Sequence, residues 1–165
     1  MCSTKTQAKF LSIMKKWHKI FNLGSILVSS PLEMQALGHQ IGDQLEGGEI
    51  IGIVGNLGAG KTHLTQGIMK GLGSQTPAVS PTFSLVHEHL DGRIPACHFD
   101  FYRMKSPSEL ISIGWDDYLD RGDILIIEWA DMFMEALPPD ADWLLIEHQG
   151  ESERLVSLKT HNHPL

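Results

Sequence analysis

The sequence contains no long hydrophobic run and only two cysteines. No stretch approaches the roughly 20 consecutive apolar residues that a membrane-spanning helix needs, so we expect no membrane span. Cys2 and Cys97 lie far apart in the chain, which excludes a disulfide framework and the short ligand spacing of a zinc site. Isolated, reduced thiols are typical of a cytoplasmic protein, and we therefore predict a cytoplasmic location.

Positive charge is also scarce. The 13 lysines and arginines stand against 20 aspartates and glutamates, which gives a formal net charge of -7. A protein that binds nucleic acid by itself normally presents a broad basic surface. We therefore expect no DNA partner, and any action on RNA would be indirect and would need another protein.

Two further kinds of site are not indicated. The chain has nine histidines, but the closest pairs, His87 with His89 and His161 with His163, have no third ligand at a recognisable spacing. No Ser-His-Asp grouping stands out either. We therefore predict neither a histidine metal site nor a hydrolase triad.

The feature that the chain does contain is a phosphate-binding loop. Residues 55–62 read Gly-Asn-Leu-Gly-Ala-Gly-Lys-Thr, the spacing of a Walker A motif. In such a loop the backbone N–H groups of Gly55, Gly58, Ala59 and Gly60 are expected to surround phosphate oxygens, because glycine allows the necessary turns. Lys61 adds a positive charge, and the hydroxyl of the next residue, Thr62, is a candidate Mg²⁺ ligand.

The flanking sequence supports this interpretation. Residues 49–54 form a short apolar run typical of a strand buried on both faces. Residues 63–72 carry apolar side chains at helical spacing, and Gly71 and Gly73 then favour a helix end. A helix that begins at the loop also directs its positive dipole end toward the phosphates. The order of strand, loop and helix is the one that the motif requires.

Two acidic residues are predicted at strand ends. Asp100 closes a strand over residues 94–101, and Glu128 closes the buried strand over residues 123–129, which has the form of a Walker B strand. Ligands gather at the carboxyl ends of parallel strands in open α/β sheets. Asp100 and Glu128 are therefore candidate Mg²⁺ ligands and candidates for positioning the attacking water, and the sequence leaves open which does which.

The remaining patterns predict an α/β three-layer fold like that of P-loop nucleotide hydrolases. Its central sheet is expected to be mixed and mainly parallel, with a C-terminal hairpin over residues 143–158. Ser80, Pro81 and Thr82 precede a predicted strand that reaches Val86, and they form a candidate switch loop. We divide the chain into a basic amphipathic and dispensable extension over 1–24, an ATPase domain over 25–160 and a tail over 161–165.

With these pieces in place, the sequence resembles the bacterial TsaE family, the small ATPases needed to make threonylcarbamoyladenosine in tRNA. The resemblance covers residues 26–158. It is carried by the loop at 55–62, Ser-Pro-Thr-Phe at 80–83, His-Phe-Asp-x-Tyr-Arg at 98–103, Gly-x-x-Asp-Tyr at 114–118 and Ile-Glu-Trp at 127–129.

The resemblance implies specific roles and partners. It implies that Lys61 and the loop amides hold the β- and γ-phosphates of ATP, and that Thr62 and Glu128 hold Mg²⁺. It further implies that Asp100 matters for hydrolysis and that Trp129 lies close to the nucleotide. The adenine would lie near residues 30–33, with Leu32 as the named contact. The implied partners are the TsaB and TsaD proteins, and tRNA is contacted only through them.

Two other kinds of activity share a phosphate loop. A small-molecule kinase would need an acceptor site and a basic lid, and a nucleotide-gated binding module would use the same ligands with negligible catalysis. A GTPase is disfavoured because the chain lacks Asn-Lys-x-Asp, the motif that reads guanine.

Overall fold

A computed structural model describes residues 14–22, 24–81 and 83–160. Seven strands in these ranges form one sheet. In chain order they are β1 Ser25–Val28, β2 Ile50–Gly55, β3 Val86–His89, β4 Ala96–Asp100, β5 Ile124–Glu128, β6 Asp142–His148 and β7 Arg154–Thr160. The α-helices are α1 Pro31–Gln44, α2 Lys61–Gly71, α3 Ser108–Ser112 and α4 Trp115–Asp120, and 3-10 helices span Lys16–Phe21 and Ala130–Ala136. The predicted tail over 161–165 and Thr82 of the candidate switch lie outside the described residues.

The centre of the sheet is parallel and its edges are antiparallel. The strands lie in the order β1-β7-β6-β2-β5-β4-β3. β2 pairs in parallel with both β5 and β6, and β5 pairs in parallel with β4. β1 and β3 are antiparallel edge strands, and β6 and β7 form the predicted C-terminal hairpin. The expected α/β fold with a mixed sheet built around parallel strands is confirmed.

Helices cover both faces of the sheet, which gives three layers. Because side chains alternate along a strand, Ile124 and Ile126 of β5 belong to one core, together with buried residues of α1 and α2. Leu125 and Ile127 belong to a second core, together with buried residues of α3, α4 and the 130–136 helix. The parallel strands are thus buried on both sides, as their continuous apolar sequences predict.

Glycines allow α1 and α2 to pack in close contact. A Cβ atom built on Gly42 would lie 2.1 Å from the Ile68 carbonyl oxygen, and one on Gly67 would lie 2.2 Å from the Gln35 carbonyl oxygen. Any larger residue at either position would force the helices apart. This contact matters for the site because α2 carries the phosphate loop at its N-terminus.

The strand predicted to reach Val86 begins later than expected. β3 starts at Val86 and runs to His89. The reason is local: Leu85 has a left-handed backbone conformation with φ of 63°, and its N–H donates to the Pro81 carbonyl in a turn. That turn interrupts extended backbone before residue 86, so the prediction was wrong over residues 83–85.

The described part of the predicted N-terminal extension packs against the domain. Residues 1–13 lie outside the described ranges, and Lys16–Phe21 form a 3-10 helix instead of an amphipathic α-helix. Trp17 is fully buried in the same core as α1 and α2. The buried Asp142 accepts a hydrogen bond from Lys15 Nζ at 2.7 Å and lies 3.1 Å from His18 Nε2. These contacts link the segment to the first residue of β6.

Replacing Trp17 with alanine is expected to lower the free energy of unfolding by about 3–5 kcal/mol, because it leaves a cavity in the core. Urea denaturation measures this change. Met14→Ala is the control, since Met14 belongs to the same segment but is exposed. If the Trp17→Ala protein is as stable as the unmodified one, the segment before residue 25 does not stabilise the domain, as the predicted boundary at residue 25 requires. That boundary remains a prediction.

Within the described ranges, no helix combines the length and the apolar character that crossing a membrane requires.

Candidate functional site

The phosphate loop connects the end of β2 to the start of α2. Gly58 and Gly60 have φ values of 75° and 101°, a left-handed conformation that a side chain would strain. The first hydrogen bond within α2 runs from the Leu64 N–H to the Gly60 carbonyl. The N–H groups of Lys61 and Thr62 therefore have no acceptor within the helix, and they form the positive end of its dipole. This is the backbone arrangement of an anion-binding site.

Lys61 is buried at the base of the loop. Only 5% of its surface is exposed, and its Nζ donates to the carbonyl oxygens of Gly55 at 2.5 Å and Asn56 at 2.9 Å. The ammonium group also lies 3.6 Å from the centre of a Trp129 ring. Burial lowers the pKa of Lys61, and the nearby charges of Glu128, Asp131 and Asp100 partly oppose that effect. A bound phosphate would add negative charge beside this buried ammonium group and so stabilise its charged form.

Glu128 lies opposite the loop and is 2% exposed. Its Oε2 accepts a hydrogen bond from Thr62 Oγ1 at 2.9 Å. Its Oε1 accepts from Thr65 Oγ1 at 3.1 Å and lies 2.8 Å from His98 Nε2. The structure therefore brings two of the three predicted metal ligands, Thr62 and Glu128, into direct contact.

Asp100 lies beside Glu128 at the same edge of the sheet. The two residues are paired in the register of β4 and β5. Asp100 Oδ2 accepts from Ser80 Oγ at 2.5 Å, and Oδ1 accepts from the Tyr102 backbone N–H at 2.9 Å. Ser80 of the candidate switch is thus attached to a candidate catalytic acid, whereas Pro81 is buried and contributes a carbonyl to the turn before β3.

An open cleft of about 410 Å³ joins these groups. Its lining residues are Leu57, Gly58, Ala59, Gly60, Lys61, Thr62, His63, Ser80, Asp100, Tyr102, Arg103, Glu128 and Trp129. Gly55, the last residue of β2 and the first of the loop, does not line this cleft, and its carbonyl oxygen accepts the hydrogen bond from Lys61 Nζ. The site therefore combines the phosphate loop with both predicted acids and the predicted tryptophan.

The predicted adenine contact lies apart from this cleft. Leu32 is 77% exposed and lines neither the main cleft nor a smaller one of about 110 Å³ on the other side of the loop. Its neighbours Ser30, Pro31 and Met34 do line the smaller cleft, together with His63. The region chosen for adenine thus borders the loop, although the Leu32 side chain points to solvent.

Several residues of the site were not singled out for a role by the sequence. Thr65 and His98 contact Glu128, and Tyr102 packs on Trp129 with ring centres 4.6 Å apart. The sequence does indicate that His98 could belong to the site, because it shares a strand face with Asp100. For Thr65 the sequence shows only that it lies one helical turn after Lys61. Trp129 precedes the 130–136 helix and has a left-handed backbone conformation, with φ of 57°. Its ring lies against the Lys61 ammonium group.

Comparison with known proteins places the chain in a family. The family model for the threonylcarbamoyl adenosine biosynthesis protein TsaE matches residues 28–156. The tRNA threonylcarbamoyladenosine biosynthesis protein TsaE of Bacillus subtilis is 34% identical over 78% of this chain and 80% of its own. The protein of the same name from a Nostoc species is 38% identical over 76% of this chain and 79% of its own.

A solved structure shares the fold. The crystal structure of Bacillus subtilis YdiB superposes with a TM-score of 0.72 and 28% identity, over 84% of this chain and 85% of that one. The fold, the sequence relatives and the match across most of the domain agree with one another. The chain therefore belongs to the TsaE family, whose role lies in tRNA threonylcarbamoyladenosine biosynthesis.

Proposed function

We propose that this protein is a magnesium-dependent ATPase that serves threonylcarbamoyladenosine modification of tRNA in the cytoplasm by acting on a complex of TsaB and TsaD. The observation that carries the proposal is the contact of Thr62 Oγ1 with Glu128 Oε2 at 2.9 Å, beside the buried Lys61. It unites the phosphate loop with an acid from a different strand. A generic anion site would not need that acid.

The residues present fit Mg²⁺. It binds oxygen ligands at about 2.0–2.1 Å in octahedral geometry, so adjacent ligand oxygens lie about 3 Å apart. Thr62 Oγ1 and Glu128 Oε2 have that separation and that chemistry. When bound, Mg²⁺ would neutralise phosphate charge and so favour attack on the γ-phosphate.

The chain's own groups supply the rest of the mechanism. Lys61 and the N–H groups at the start of α2 bind phosphate oxygens and stabilise the charge of the transition state. We assign water positioning to Asp100, because Glu128 contacts Thr62 and is the proposed Mg²⁺ ligand, whereas Asp100 lines the cleft beside the candidate switch residue Ser80. The missing guanine motif favours ATP over GTP as the substrate.

The acidic balance of the chain supports a protein partner. A net charge of -7 does not favour the broad basic surface with which a stand-alone tRNA enzyme would bind its substrate. The family's role in tRNA modification then requires other proteins to contact the tRNA. TsaB and TsaD are the partners that the family resemblance implies.

Phosphate release from ATP, measured with Mg²⁺ or EDTA and with or without purified TsaB and TsaD, tests the proposal. We expect slow, Mg²⁺-dependent hydrolysis that rises when both partners are present. Tight nucleotide binding without turnover under every condition would instead indicate a nucleotide-gated binding module. Phosphoryl transfer to a metabolite without partners would indicate a kinase.

A further inference from the structure

We propose that His98 and Thr65 are positioning residues, which fix the Glu128 carboxylate so that one of its oxygens remains available for a divalent cation. This inference rests on the proposed function, since it assumes that Glu128 is a metal ligand. It assigns a role to two buried polar residues that lie outside the phosphate-loop and Walker B motifs.

His98 is fully buried in β4, next to the strand that carries Glu128. Its Nε2 lies 2.8 Å from Glu128 Oε1. Because a carboxylate oxygen can only accept, Nε2 carries the hydrogen of this bond. The other ring nitrogen, Nδ1, is buried without a hydrogen-bond partner among the described residues, which favours the tautomer with its proton on Nε2.

Thr65 contacts the same carboxylate oxygen from helix α2. It is fully buried in α2, and its Oγ1 lies 3.1 Å from Glu128 Oε1 and 3.1 Å from the Lys61 carbonyl oxygen. A hydroxyl has one proton to donate, so these two acceptors share it. Thr65 therefore connects Glu128 to the helix that begins at the phosphate loop.

The two carboxylate oxygens consequently have different surroundings. Oε1 is held by His98 and Thr65, both fully buried, whereas Oε2 contacts Thr62 at the cleft. Two donors on one oxygen prevent the carboxylate from rotating and direct the other oxygen toward the metal position. Groups that orient a metal ligand in this way typically change metal affinity by about 10- to 100-fold when they are removed.

The test compares the affinity for ADP with saturating Mg²⁺ and with EDTA, measured by isothermal titration calorimetry. The ratio of the two affinities, which we call the Mg²⁺ advantage, measures the contribution of the metal site. The affinity in EDTA measures the contribution of the loop and Lys61. We expect His98→Ala and Thr65→Val to reduce the Mg²⁺ advantage by about 10-fold or more and to leave binding in EDTA unchanged. His98→Gln and Thr65→Ser, which keep a donor, should restore part of the advantage.

His89→Gln is the matched control, because His89 is also a buried strand histidine but contacts Ser74 in place of Glu128. Its Mg²⁺ advantage should equal that of the unmodified protein. The inference is overturned if His98→Ala and Thr65→Val keep the full advantage, or if they weaken ADP binding equally in Mg²⁺ and in EDTA, as a general loss of structure would. Should His98→Ala fail to fold, Thr65→Val decides the question.

The proposed function can fail separately. If the unmodified protein binds ADP equally well with Mg²⁺ and with EDTA, the metal site itself is wrong, and the roles of His98 and Thr65 fall with it. A normal Mg²⁺ advantage that these substitutions do not change contradicts the positioning roles alone.

Discussion

Replacing Lys61 with alanine is expected to reduce ATP turnover by on the order of 10³-fold. Lys61 is the buried cation of the phosphate loop, and its ammonium donates to two loop carbonyls. Burial lowers its pKa, and phosphate oxygens would restore the stability of its charged form. Alanine removes the charge that both binds the phosphates and stabilises the transition state.

Steady-state phosphate release and nucleotide affinity, measured on the same preparation, check this expectation. Lys70→Ala is the matched control, because Lys70 lies in the last turn of the same helix and is exposed. It removes the same charge far from the loop and should leave both quantities unchanged. Full turnover by Lys61→Ala would contradict the assignment of the phosphate site.

Replacing Asp100 with asparagine is expected to lower turnover by about 10²–10⁴-fold while nucleotide affinity changes little. The carboxylate faces the cleft and accepts hydrogen bonds from Ser80 Oγ and the Tyr102 N–H. Asparagine can still accept from Tyr102, so the loop after β4 should keep its place. What it loses is the negative charge with which we expect Asp100 to orient and activate water.

Single-turnover hydrolysis of bound ATP separates this chemical step from binding. Asp116→Asn serves as the control, since Asp116 is an exposed acid of α4. If Asp100→Asn hydrolyses ATP at the normal rate and Glu128→Gln does not, then Glu128 positions the water and our division of roles between the two acids is wrong.

Much of the site was predictable because its signals are local. The phosphate loop depends on glycine conformations and on a helix that starts at a fixed spacing, and both are determined within a few residues. The strand that ends in Glu128 was recognisable from its apolar run, which is typical of a parallel strand buried on both faces. Parallel pairing then places Asp100 and Glu128 side by side, as the sheet-edge rule predicts.

Other features depended on contacts between distant segments. The start of β3 was set by a turn with Leu85 in a left-handed conformation, which its residue type disfavours. Trp17 falls within the segment predicted to be a dispensable extension. The spacing of apolar residues in that segment cannot show which part of the protein they pack against, and the structure places Trp17 in the core. The Leu32 side chain, chosen by resemblance to the family, points to solvent while its neighbours face the smaller cleft.

The sequence by itself determined the family, the phosphate loop and the two acids, because each depends on residue type and short spacing. Only the tertiary structure decided which side chains hold Glu128 and which ring covers Lys61. Thr65 lies in α2, His98 in β4 and Trp129 between β5 and the 130–136 helix, and their contacts exist only once the strands and α2 have packed together. Burial gives these contacts their strength, since a polar group removed from water must find its partner inside the protein.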